Sequence, residues 1–94
     1  MANHAKMPFI LFVQADGTSK TLMTDVVTGP FLFGNSTSYN IAASLSTAAP
    51  FGISNLTSSD GGSVSYTILL SIVTFTWTTA PAAGTVYLSG ELEF

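Results

Sequence analysis

The sequence predicts an all-β chain folded as an antiparallel two-layer β-sandwich of about six to eight strands. Three observations predict it. No stretch of the chain places apolar groups at helical spacing against a charged face. β-Branched and aromatic residues dominate, as suits a pleated, half-buried surface. Turn residues recur at short intervals: Asp16-Gly17, Thr28-Gly29-Pro30, Gly34-Asn35, Ala49-Pro50, Asp60-Gly61-Gly62 and Ala80 to Gly84.

The elements follow in order. The first strand, Pro8 to Gln14, is apolar on both faces through Phe9, Ile10, Leu11, Phe12 and Val13, so it is either central or pressed against a partner. Asp16-Gly17 turns it into a second strand, Lys20 to Val27. Phe31 and Phe33 make a short third piece that ends at Gly34. In Ser38 to Ser46, Tyr39, Ile41, Ala43 and Leu45 alternate with small polar residues. A brief strand spans Phe51 to Leu56.

From Ser63 to Thr79 the apolar phase slips by one residue. Val64, Tyr66, Ile68, Leu70 and Ile72 share one face, then Val73, Phe75 and Trp77 take over. With a side-chain period of two and no turn residue, this predicts a β-bulge or a strand crossing between sheets near Ile72-Val73. Thr85 to Phe94 forms the last strand, with Val86, Leu88, Leu92 and Phe94 inward and Tyr87, Ser89, Glu91 and Glu93 outward. Residues 1–7 are expected as a flexible N-terminal arm, and residues 8–94 as a single domain.

Composition narrows the function. Only 7% of the 94 residues are charged, against roughly 25% in ordinary soluble domains. A net charge of −3 with two lysines argues against nucleic acid, which requires a basic surface. The absence of cysteine excludes disulfides and thiolate zinc sites. The start has no basic segment leading into an apolar stretch, so no signal peptide is expected. Val64 to Ala80 is apolar enough to test as a membrane span, but serine and threonine interrupt it throughout. A cytoplasmic origin without membrane insertion is the expectation.

Candidate chemistry is sparse. His4, the single histidine, lies near the terminus with nothing to fix triad partners. Glu91 and Glu93 read as one solvated strand face rather than a glycosidase pair. Asp60-Gly61-Gly62-Ser63 reads as a turn rather than a calcium loop. Trp77, Tyr39 and Tyr66 fit core packing, whereas Tyr87 falls outward. No catalytic residue, cofactor or metal site is therefore expected. Thr74, Thr76 and Thr78 form either an uncharged solvent face or a surface packed under a neighbouring subunit. So few charges leave sheet edges poorly guarded, which favours assembly into an oligomer or onto a larger body. Phe9, Phe12, Phe31 and Phe33 are the candidate contact residues.

The chain resembles small bacteriophage virion accessory proteins: capsid decoration or cement proteins, and the β-domains of fibres. The features shared are the Met1-Ala2 start, the absence of cysteine, the Ser/Thr-rich strands and the terminal hairpin from Thr74-Phe75-Thr76-Trp77 to Gly90-Glu91-Leu92-Glu93-Phe94. The likeness is one of composition and pattern over the whole chain. It implies a jelly-roll or immunoglobulin-like sandwich, and a non-enzymatic structural protein of the virion. The partners implied are the major capsid protein, or another virion protein, and copies of the chain itself. A carbohydrate-binding or receptor-binding β-domain is the alternative, and it requires exposed aromatics beside fixed polar groups.

Overall fold

The computed structural model describes residues 5–17, 22–37, 40–46 and 49–94. Eight strands and no helix are found among them: β1 (Lys6–Ala15), β2 (Leu22–Thr28), β3 (Phe31–Thr37), β4 (Asn40–Leu45), β5 (Gly52–Ser58), β6 (Val64–Leu69), β7 (Ile72–Trp77) and β8 (Gly84–Glu93). They pair antiparallel in two four-stranded sheets. Sheet A has the order β2-β1-β8-β5, and sheet B the order β3-β4-β7-β6. The four-over-four arrangement differs from the ABED/CFG layout of immunoglobulin domains. Three pairs, β1-β2, β3-β4 and β6-β7, join strands consecutive in the chain.

Alternation along each strand selects the core. β1 is central in sheet A and sends Phe9, Leu11 and Val13 inward, while Ile10 and Phe12 face out. β4 buries Ile41, Ala43 and Leu45, β7 buries Val73, Phe75 and Trp77, and β8 buries Val86, Leu88 and Leu92. Phe9, Phe31 and Phe75 form an aromatic cluster between the sheets, with centroids 5.1 to 6.2 Å apart. Phe94 is partly buried against the same core, as expected for the last residue.

Two glycines set how closely the chain approaches itself. At the corner from β2 to β3, Gly29 has φ +102, and a Cβ there would lie 2.9 Å from Phe9 Cβ. Gly90 faces the bulge of β5 between Ser54 and Thr57, where a Cβ would meet Ser54 O at 3.1 Å and Leu56 Cα at 3.3 Å. The bulge itself places Asn55 at φ 56.

The structure corrects four expectations. The phase slip near Ile72-Val73 is neither a bulge nor a sheet crossing. It is a two-residue hairpin turn, Leu70-Ser71, closing the pair Leu69–Ile72. Inward Ile68 therefore faces inward Val73, Tyr66 faces Phe75, and Val64 faces Trp77. Leu70 takes φ 55 at a position where hairpin turns favour glycine. A non-glycine residue there is disfavoured by about 1–2 kcal/mol, so no turn residue marks the reversal.

Second, β1 begins at Lys6, with Lys6 and Met7 paired to Glu93 and Leu92 of β8. Lys6 and Met7, expected within a flexible arm, are therefore strand residues, and residues 1–4 lie outside the described residues. Third, Phe9 and Phe31 are core residues, at 2% and 5% exposure, and are not available as contact residues. Alternation groups residues by face, but the second sheet covers the face that carries them. Fourth, the segment from Thr74 to Phe94 is not a hairpin: β7 pairs with β4 and β6 in sheet B and β8 with β1 and β5 in sheet A, so the link between them crosses from one sheet to the other. No helix among the described residues is long and apolar enough to cross a membrane.

Candidate functional site: the outer face of sheet A

β1, β8 and β5 lie side by side in sheet A, and their outward residues form two rows. Ile10 pairs with Ser89, which pairs with Thr57. Phe12 pairs with Tyr87, and beyond it lies Ser59 at the end of β5, whose N–H donates to the Tyr87 carbonyl at 2.9 Å. Ser89, Thr57 and Ser59 are small, so the face sinks beside the larger Ile10, Phe12 and Tyr87. The result is an open groove of about 350 Å³ lined by these six residues, none of them charged.

The Phe12 and Tyr87 rings pack 4.6 Å apart between centroids, tilted by 43°. Contacts of this kind contribute roughly 0.5–1.5 kcal/mol beyond burial. Ile10 and Tyr87 nevertheless remain 41% and 45% exposed. The serine and threonine hydroxyls of the groove are engaged with the sheet itself. Thr57 Oγ1 and Ser89 Oγ hydrogen-bond at 2.9 Å, and Ser59 Oγ accepts from the Tyr87 N–H at 2.8 Å. What the groove offers a visitor is chiefly carbon surface, with hydroxyls already held in place at its margin.

The other candidates resolve differently. Phe12 lies in the groove, half-buried. Phe33 belongs to β3, but its side chain is outside the described residues, as are His4 and Tyr39. Glu91 accepts a hydrogen bond from Asn55 Nδ2 at 3.2 Å on the β5 bulge. Trp77 is 1% exposed, and its Nε1–H donates to Ser58 Oγ at 3.1 Å. Ser58 in turn donates to Asp60 Oδ1 at 2.6 Å, and the Gly62 N–H donates to the same oxygen at 2.9 Å. The Ser58 hydroxyl, then the Gly62 amide, hold the Asp60 carboxyl below its ordinary pKa. This relay ties β7 of sheet B to β5 of sheet A and fixes the Asp60-Gly61-Gly62 turn. No group of three or more metal-ligating side chains occurs among the described residues.

Sequence reading placed Tyr87 outward but did not join it to Thr57 and Ser59, which lie far from it in the chain. The pairing of β5 with β8 brings them together, and no local pattern encodes that pairing. No protein-family model, curated protein or solved structure matches the chain.

Proposed function

We propose that this protein is a non-enzymatic structural accessory protein that docks on the shell of a virus particle and on copies of itself, using the outer face of sheet A. The observation that carries the docking is the uncharged groove over Ile10, Phe12 and Tyr87, with its serine and threonine hydroxyls already bonded within the sheet. Such a surface gains from covering carbon and loses little by desolvation. The choice of a virion rests on the likeness in composition and pattern to small phage decoration and cement proteins, and on the scarcity of charge.

The test is co-sedimentation with shells of the co-produced major capsid protein, using the wild-type chain and Phe12→Glu. Wild-type chain should pellet with shells even at roughly 1 M salt, where the Debye length is about 3 Å, and Phe12→Glu should not. Failure of the wild type to bind, or unchanged binding by a folded Phe12→Glu, would overturn the proposal.

Carbohydrate binding is the second reading, and one observation favours it: an aromatic pair, exposed at Tyr87, beside the hydroxyls of Thr57, Ser59 and Ser89. The burial of Trp77 and the internal bonding of those hydroxyls weaken it. Tyr87 ring resonances that shift on addition of oligosaccharides, without response to shells, would favour this second reading over the first.

A further inference from the structure

The β6-β7 hairpin ends in Leu69, Leu70, Ser71 and Ile72. Leu69 is 72% exposed, Leu70 80% and Ile72 41%. Leu70 occupies the first central position of a two-residue turn at φ 55, where glycine is the relaxed choice. A leucine there is unfavourable for the isolated fold twice over, in its backbone and in its uncovered side chain. Among the described residues that side chain is left 80% exposed.

We propose that the Leu69-Leu70 tip of one copy seats in the sheet-A groove of a second copy. This rests on the reading of the groove as a docking surface and names one occupant. Size supports the match: at about 350 Å³ the groove lies at the lower end of small-molecule pockets and suits one or two aliphatic side chains. Charge supports it too. Copies of net charge −3 repel on approach, and this contact joins two patches with no charged residue in either.

Topology makes the contact intermolecular. The tip lies at the end of sheet B where β4 stops, with the Leu45 N–H donating to the Ser71 carbonyl at 2.8 Å. The groove lies on the outer face of sheet A, turned away from sheet B. The contact is therefore head to tail, which generates a ring or an open row of copies. A hairpin tip in a shallow groove buries less than the ~1,200 Å² at which stable interfaces begin. Association in free solution is accordingly weak and is read at the upper end of a concentration series.

The experiment is sedimentation equilibrium over a concentration series for four samples: wild type, Leu70→Gly, Tyr87→Ser, and an equimolar mixture of the two variants. Thermal unfolding is measured on each. The expected result is a wild-type mass that climbs past the dimer with concentration. Leu70→Gly should melt no lower than wild type, yet its association should weaken by at least about tenfold, or about 1.4 kcal/mol. Tyr87→Ser should weaken equally. The mixture should recover a heterodimer that does not grow, because one variant keeps the groove and the other keeps the tip. Wild-type monomer at every concentration, undiminished association of either single variant, or a mixture of folded variants that stays monomeric would each overturn the inference. Shell docking separates the two proposals. Leu70→Gly keeps its groove, so shell binding by a Leu70→Gly chain that still self-associates rejects only the tip. Complementation in the mixture without wild-type shell binding rejects only the shell.

Discussion

The outer faces of the two sheets cover the same core but are finished differently. On sheet B, Ala42, Ser44, Thr74 and Thr76 form a half-buried face of small residues and hydroxyls. Its polar groups bond across strands: Thr76 Oγ1 donates to Asn40 Oδ1 at 2.6 Å, and Ser65 Oγ to the Thr76 carbonyl at 3.4 Å. On sheet A, the central strands instead present Ile10, Phe12 and Tyr87, part of whose carbon surface stays in water. A hydroxyl face is complete as it stands, whether wet or covered. An aromatic face gains free energy only when something covers it. The difference is what supports the proposal that the groove of sheet A is a contact surface.

The largest effect is expected where sheet A depends on its terminal strand. β8 lies between β1 and β5, and residues after Gly90 pair with Lys6 to Pro8 on one side and Gly52 to Ser54 on the other. Truncation after Gly90 removes these pairs together with fully buried Leu92. Loss of a buried leucine side chain alone costs about 2–5 kcal/mol, out of the roughly 5–15 kcal/mol that stabilises a domain. The truncated chain should show no cooperative urea transition by circular dichroism. A cooperative transition would mean that sheet A does not need the end of β8.

Trp77→Phe probes the link between the sheets. Ser58 keeps its bond to Asp60, while the Nε1–H donor and part of the buried indole are lost. A loss of about 1–2 kcal/mol is expected in chemical denaturation. No loss would show that the relay orients the turn without stabilising the sandwich.

A matched pair of substitutions sharpens the contrast between outer faces. Thr76→Val removes one donor to Asn40, and Phe12→Ser removes the ring packed on Tyr87. Each should cost about 1 kcal/mol of stability. Only Phe12→Ser should reduce association, measured by sedimentation. Equal loss of association in both would break the assignment of the contact to sheet A.

The smallest effect concerns acid. Hydrogen bonds from Ser58 and Gly62 depress the folded-state pKa of Asp60 below that of the unfolded chain. The resulting stability is present above the ordinary carboxylate pKa and is lost as pH falls through the lower folded value. Asp60 is exposed, so the contribution is small. Melting temperature should decline on acidification, and Asp60→Asn should flatten part of that decline. An identical acid profile in Asp60→Asn would assign the effect to other carboxylates.

The alternations in Ile41-Ala43-Leu45, Val73-Phe75-Trp77 and Val86-Leu88-Leu92 determined by themselves which residues share a face and that the chain is all-β. A strand has a period of two, and a buried face leaves that period in the sequence. Asp16-Gly17 and Gly29-Pro30 mark reversals for an equally local reason, the φ values those residues favour. Leu70-Ser71 carries no such mark, because the pairing of β6 with β7 holds a leucine in a conformation it does not favour by itself. Whether Phe9 or Phe12 faces the second sheet was equally undetermined: β1 is apolar on both sides, and only the packing of sheet B chose between them. The groove depended on tertiary structure most of all. Tyr87, Thr57 and Ser59 meet through the non-local pairing of β5 with β8, and the free energy that joins distant strands comes from the whole core rather than from any segment of the chain.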